Sequence, residues 1–207
     1  MAKIKTVFVC NNCGFESSKW LGKCPSCGEW NSFYEESMKN IKAVNANVKM
    51  TIAKPVKLNE VESKESFRFD AGYQEVNRVL GGGLVKGSLV LIGGEPGIGK
   101  STLVLQICDK IANDDSKVLY VSGEESVEQV KMRADRLQIH NDNLMFLGET
   151  DMDNIEKEIE DMNPKLVVID SIQTMFSPEI TSPPGTVSQV REITARIMRC
   201  CKQNAVT

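Results

Sequence analysis

Gly94-Glu95-Pro96-Gly97-Ile98-Gly99-Lys100-Ser101 satisfies the pattern G-x-x-x-x-G-K-[ST] at every position. Glycines let the backbone curl so that N–H groups point inward at phosphate oxygens. The N-terminus of a following helix adds its partial positive charge. In such a loop Lys100 reaches the β- and γ-phosphates and Ser101 holds Mg²⁺, with Thr102 next in the helix. The flanking residues fit this reading. Ser88–Gly93 is a short apolar run that predicts a strand, and Thr102–Ile111 predicts a helix.

Outward from the loop, the pattern alternates between strand and helix. Further strands are expected at Lys117–Ser122, Asn143–Leu147 and Lys165–Asp170, each an apolar run bounded by turn residues. Helical stripes run through Leu103, Ile107 and Ile111, and through Val127, Val130, Ala134 and Leu137. Two more run through Ile155, Ile159 and Met162, and through Val187, Val190, Ile193 and Ile197. Such alternation implies an α/β fold, a mostly parallel sheet with helices on its faces.

Leu166-Val167-Val168-Ile169-Asp170 is an apolar strand ending in a carboxylate, the Walker-B form. Asp170 then contacts Mg²⁺ directly or through water. With no N-K-x-D stretch to read guanine, ATP is favoured over GTP. Hydrolysis also needs a group that orients water. Val121-Ser122-Gly123-Glu124-Glu125 offers two carboxylates at a strand end, either of which could instead only favour the next helix N-terminus.

The amino-terminal zone has different chemistry. Cys10-x2-Cys13 and Cys24-x2-Cys27 are two C-x-x-C pairs separated by ten residues. Each pair can wrap two thiolates around one ion, and two pairs close a tetrahedron. A structural Zn²⁺ is the favoured ligand. A redox dithiol and a rubredoxin-like iron site compete, but a redox C-x-x-C stands beside a strand–helix unit rather than a second C-x-x-C. Residues 1–36 hold six of the twelve aromatics, expected to form a small core around the metal that folds them. The module either grips DNA or protein or is a purely structural knuckle.

The 207 residues carry a net charge of −3. Residues 1–70 hold 11 basic and 8 acidic side chains, residues 71–207 hold 14 and 20, so any DNA contact must come from local patches. Seven cysteines exclude a fully paired disulfide framework. No apolar run approaches the ~18–20 residues of a membrane span, and the start lacks signal-peptide features. A reducing cytoplasm without membrane attachment is therefore expected. Cys108 is expected in the core; Cys200, Cys201 and the single histidine, His140, receive no role.

The constellation as a whole resembles the bacterial RadA/Sms family of DNA-repair ATPases, which are RecA-like motors. The resemblance is carried by the four cysteines with Gly28-Glu29-Trp30-Asn31, and by Arg78-Val79-Leu80-Gly81-Gly82-Gly83-Leu84 and the phosphate loop. It continues through Gly123-Glu124-Glu125-Ser126, Asp170-Ser171-Ile172-Gln173-Thr174 and Pro184–Glu192. It implies a RecA-like P-loop NTPase core behind a four-cysteine zinc module. It also implies Glu124 as the water-orienting carboxylate, ATP-driven work on single-stranded and branched DNA, and a hexameric ring. A RecA-type recombinase is the implied protein partner. Phe176–Gln189, followed by Arg191, Arg196 and Arg199, resembles the DNA-contacting loop region of such motors; the alternative is a solvated helix face.

The expected organisation is a zinc module at 1–36, a tether at 37–65 with a short strand near Val56-Lys57-Leu58, and the ATPase core at 66–207. The family continues with another strand and a Lon-protease-like domain. Ala205-Val206-Thr207 matches the start of that strand, so the sheet is expected to be incomplete at its C-terminus and the chain to be a fragment. In RecA-like sheets that strand lies between the phosphate-loop strand and the Walker-B strand. The favoured function is a DNA-dependent ATPase of recombinational repair acting by branch migration. The alternative is a nucleotide-gated DNA- or partner-binding scaffold without motor activity.

Overall fold

The computed structural model describes residues 5–38, 55, 57–60, 68–180 and 182–207, and the chain divides into two units, Met1–Ser66 and Phe67–Thr207. Most of the expected tether, Val56 included, lies outside the described residues. Leu58–Glu60 is a single 3₁₀ turn, so no strand forms there. The Lys57–Glu60 ion pair, spaced i to i+3, suits a tight turn and not an extended chain.

In the first unit, β1 (Lys5–Cys10) pairs antiparallel with β3 (Phe33–Met38), Cys10 opposite Phe33. The two-residue β2 (Glu16–Ser17) flanks β1 on its other side. Cys10, Cys24 and Phe33 form the buried centre, with Phe8, Cys13 and Leu21 packed against it. Phe15 meets Phe33 edge-to-face at 6.4 Å. The expected aromatic core is thus only partly formed: Trp20 and Trp30 are 53% and 66% exposed. Neither indole lies on a strand of the sheet, and the Trp30 ring instead lies under Lys23 Nζ at 5.4 Å.

The second unit opens with an antiparallel pair, β4 (Arg68–Phe69) and β5 (Leu84–Val85), joined through α1 (Gln74–Val79). Then follow α2 (Lys100–Ile111), β6 (Val118–Ser122), α3 (Val127–Arg136), β7 (Leu144–Leu147), α4 (Met152–Met162), β8 (Leu166–Asp170) and α5 (Val187–Asn204). The strands β7, β6 and β8 form a parallel sheet in that order. All five residues of β6 are buried, as a strand covered on both faces requires. Val118 and Tyr120 enter a cluster with Leu105, Ile107, Cys108 and Ile111 of α2 and Val130 of α3. Leu119 and Val121 enter a second cluster with Met152, Ile155 and Ile159 of α4 and Ile193 and Cys200 of α5. Alternate residues of one strand therefore hold two helical layers. Each fully buried aliphatic chain contributes about 1.5–3 kcal/mol relative to exposure.

Local chemistry starts the helices where they start. Ser126 and Gln129 close a reciprocal capping box on α3, Asp151 caps α4 and Thr186 caps α5. Two stripe residues miss the core. Leu103 is 38% and Val127 51% exposed, because the inner faces of α2 and α3 are centred on Cys108 and Val130.

The expected strand Ser88–Gly93 does not form. Leu89, Val90, Leu91 and Ile92 are 44%, 39%, 85% and 42% exposed. An apolar run becomes a central parallel strand only with a neighbour to receive its ladder. On the outer edge of β8 that place is held by Thr207. Its carbonyl accepts from Val167 N–H at 2.8 Å, its N–H donates to Lys165 O at 3.3 Å, and its hydroxyl donates to Val85 O at 3.0 Å.

Candidate functional site

The loop from Gly94 to Ser101 ends in α2, whose N-cap is Gly99 at φ 99°, with Gly97 at φ 80°. Both are left-handed values that a side chain would strain, so the curl depends on these two glycines. Lys100 Nζ donates at 2.9 Å to the carbonyls of both Gly94 and Glu95, which holds its ammonium within the loop. Gly94–Gly99 is exposed, while Lys100, Ser101 and Thr102 are half-buried.

β6 and β8 end side by side, Ser122 opposite Asp170. Their C-terminal ends bring together residues far apart in sequence. Tyr120, 1% exposed, donates its phenol to Asp170 Oδ2 at 2.5 Å. Burial first, and the Asp170 carboxylate next to it, push the Tyr120 phenol well above its ordinary value, so it stays a donor. Ser171 donates its hydroxyl to Glu124 Oε1.

Glu125, the neighbour left open by sequence, is committed elsewhere. It pairs with Arg133 of α3, the side chains being 29% and 17% exposed, and its N–H donates to Ser122 Oγ at 3.1 Å. Glu124 therefore sits with Ser171, the residue following Asp170, and Glu125 braces α3. No hydrogen bond joins the phosphate loop to Asp170 or Glu124 among the described residues. No local sequence pattern marks Tyr120. The signal that would have found it is strand register: Tyr120 faces Val168, and Asp170 lies two residues on, along the same face.

Ser177 and Ser182, on either side of residue 181, are both held by the inner face of α5. Gln189, 2% exposed, accepts from Ser177 N–H at 3.1 Å and donates to Ser182 O at 2.9 Å. Arg196 is not available to phosphates. It donates to both carboxylate oxygens of Glu156 at 3.0 and 2.5 Å, to Asp153 at 2.7 Å and to Ser177 Oγ at 3.0 Å. Hydrogen bonding to Glu156 dominates the upward push on its pKa. Its position three residues after Ile193 puts it on the inner face of α5, which removes it from the expected DNA-facing set. Arg191 is exposed, and Arg199 pairs with Glu192 at 3.2 Å on the surface.

In the amino-terminal unit the four sulfurs of Cys10, Cys13, Cys24 and Cys27 lie within 4.8 Å of one another. Cys10–Cys27 is 3.7 Å and Cys13–Cys24 is 3.5 Å. These are too long for S–S bonds and near the edge of about 3.8 Å of a tetrahedron of ~2.3 Å metal–sulfur bonds. Two like turns build it: Gly14 N–H donates to Cys10 O and Gly28 N–H to Cys24 O, the glycines at φ 71° and 78°. Burial opposes ionisation of Cys10, but the Ser32 hydroxyl at 3.2 Å and the backbone of Cys13 and Asn12 prevail and bring its thiol down to about 6. Cys13 goes the other way. A backbone hydrogen bond at Phe15 favours its thiolate, yet burial and the other three sulfurs push it up to about 11. Four thiolates this close need a cation among them, which is what a tetrathiolate metal supplies. Cys108, Cys200 and Cys201 are buried in the second unit, and burial pushes Cys108 up to about 12. Among the described residues no helix is long and apolar enough to cross a membrane.

Residues 53–205 match the AAA domain family, and residues 8–35 match a rubredoxin metal binding domain. Over the whole chain, identity is 52% to the DNA repair protein RadA of Bacillus subtilis (strain 168) and 53% to that of Halalkalibacterium halodurans. Identity is 48% to the RadA of Listeria monocytogenes. The chain spans 46% of each of these three relatives. Among solved structures, a KaiC-like protein, PH0186 of the hyperthermophilic archaeon Pyrococcus horikoshii OT3, has a similar fold. Its TM-score is 0.54 at 21% identity, covering 68% of this chain and 69% of that one.

Proposed function

The chain belongs to the RadA family of AAA-domain proteins, and on that premise we propose that it carries the ATP-hydrolysing machinery of a DNA-repair motor. The observation that carries this reading is the meeting of Glu124, Ser171 and Asp170 at the ends of two adjacent parallel strands. In this reading the backbone of Gly94–Gly99 receives the phosphates, Lys100 stands against the β- and γ-oxygens, and Ser101 and Asp170 hold Mg²⁺. When bound, that ion neutralises charge developing on the phosphates. Glu124 accepts a hydrogen bond from the attacking water and orients it. The four cysteines hold a structural Zn²⁺. The whole protein works on single-stranded DNA and branched recombination intermediates in the cytoplasm, as a hexameric ring beside a RecA-type recombinase. Within the expected loop region, Arg191 and Arg199 lie at the surface of α5, where basic side chains can meet DNA phosphates.

A second reading has its own support. The run 88–93 lies outside the sheet and Lys100 is held by loop carbonyls, which suits a nucleotide-gated scaffold without turnover. ATP turnover with and without single-stranded DNA separates the two. It is measured for wild type and Lys100→Ala, in this chain and at the length of its curated relatives. DNA-stimulated turnover abolished by Lys100→Ala supports the motor. Partner or DNA binding that responds to nucleotide without turnover supports the scaffold.

A further inference from the structure

Tyr120 is the largest fully buried side chain of the sheet, and its hydroxyl is the one polar atom it carries into an apolar cluster. Neighbours on β7 and α2 fix the ring. Phe146 of β7 lies directly opposite in register and stacks on it, centroids 6.4 Å apart and planes 20° from parallel. Ile107 and Cys108 of α2 belong to the cluster above. Held so, the ring reaches diagonally across the sheet from β6 to the end of β8, a span that aromatic side chains cover between i and j+2 neighbours. A phenylalanine would fill this volume equally well. The hydroxyl, costly to bury without a partner, is matched by one atom, Asp170 Oδ2, at 2.5 Å.

From this geometry we infer that Tyr120 is a positioning residue for the metal-holding carboxylate, a role that rests on the nucleotide-site reading given above. Its phenol occupies Oδ2 and fixes the rotation of the carboxyl group, leaving Oδ1 as the acceptor for Mg²⁺ or its water. Groups that hydrogen-bond to metal-ligating carboxylates set ligand orientation, and their loss weakens metal binding by about 10–100-fold. The Phe146 stack and the buried register mean that the orientation is built into the sheet before nucleotide arrives.

The test is a Mg²⁺ titration of the binding of a fluorescent ATP analogue to the full chain, compared with its Tyr120→Phe variant. Melting temperatures are taken alongside. The expected result is a rise of about 10-fold in the Mg²⁺ concentration at half-effect, with unchanged affinity in EDTA and an unchanged melting temperature. In an Asp170→Asn background the same substitution should add no further shift. An unmoved Mg²⁺ midpoint beside normal wild-type behaviour overturns the role of Tyr120 alone. An equal shift in the Asp170→Asn background does the same, because the phenol then acts through something other than the carboxylate. Wild-type binding that ignores Mg²⁺ altogether overturns the nucleotide-site reading and this inference together.

Discussion

Ser171 donates its hydroxyl to the carboxylate of Glu124, joining the first residue beyond β8 to the second beyond β6. The bond fixes one oxygen of Glu124 and leaves the other for water, since the side chain is exposed. Glu124→Gln should retain ATP binding and lose turnover by about 10²-fold or more, the scale of a lost general base. Ser171→Ala should lower kcat by a smaller factor with KM nearly unchanged. Glu125→Gln should spare turnover and instead lower stability by about 1–2 kcal/mol, because Arg133 loses its partner in a partly exposed pair. Steady-state kinetics with urea denaturation separates the three. Full activity in Glu124→Gln would move the water-orienting role elsewhere.

Arg196 ties α5 to α4 and to Ser177, which follows the Asp151–Phe176 bridge. Arg196→Ala should cost about 2–4 kcal/mol, since it strands Glu156 half-buried without its cation. It should also speed proteolysis within 177–186. If Arg196 instead served DNA, the variant would keep its stability and lose affinity for single strands.

Glu149 precedes α4 and accepts from Asp151 N–H at 3.0 Å, Thr150 N–H at 2.7 Å and Asn154 Nδ2 at 2.8 Å. The Asp151 bond leads in holding its carboxyl below the ordinary 4.5. A depressed folded value means stability that is present above pH 4.5 and is lost as pH falls through the folded value. Glu149→Gln should therefore cost about 0.5–1 kcal/mol at pH 7, and its urea midpoint should approach that of wild type as pH falls below 4.5 and the wild-type carboxylate takes up its proton. A gap that does not narrow as pH falls from 7 into the acid range would assign the effect to packing.

Both tryptophans of the chain, Trp20 and Trp30, lie in the four-cysteine unit, so indole emission reports that unit alone. Chelation should shift the emission and release one ion per chain, while nucleotide affinity in the second unit stays within twofold. Metal analysis finding no thiolate-bound ion would remove the zinc assignment.

Much of this molecule could be read from local pattern. The phosphate loop, the four cysteines and the strands β6, β7 and β8 each declare themselves within a few residues. The misreadings arise where tertiary partners decide. Ser88–Gly93 has the composition of a buried strand, but no composition supplies a neighbour. On α5 the inner face runs through Gln189, Ile193, Arg196 and Cys200. Two of these four are polar, so a search for apolar periodicity passes over them and leaves Arg196 looking like a surface cation. Tyr120 escapes for a related reason: its contact to Asp170 spans fifty residues and exists only once β6 and β8 are in register.

The edge of β8 has a practical consequence. Among the described residues only Thr207 covers that edge, and in the same unit Leu89–Ile92 stands exposed. One half offers a hydrogen-bonding template and the other an adhesive apolar ribbon, the combination through which chains recruit copies of themselves. Solubility and shelf life of this polypeptide should therefore be governed less by its overall charge than by whatever strand first occupies that edge.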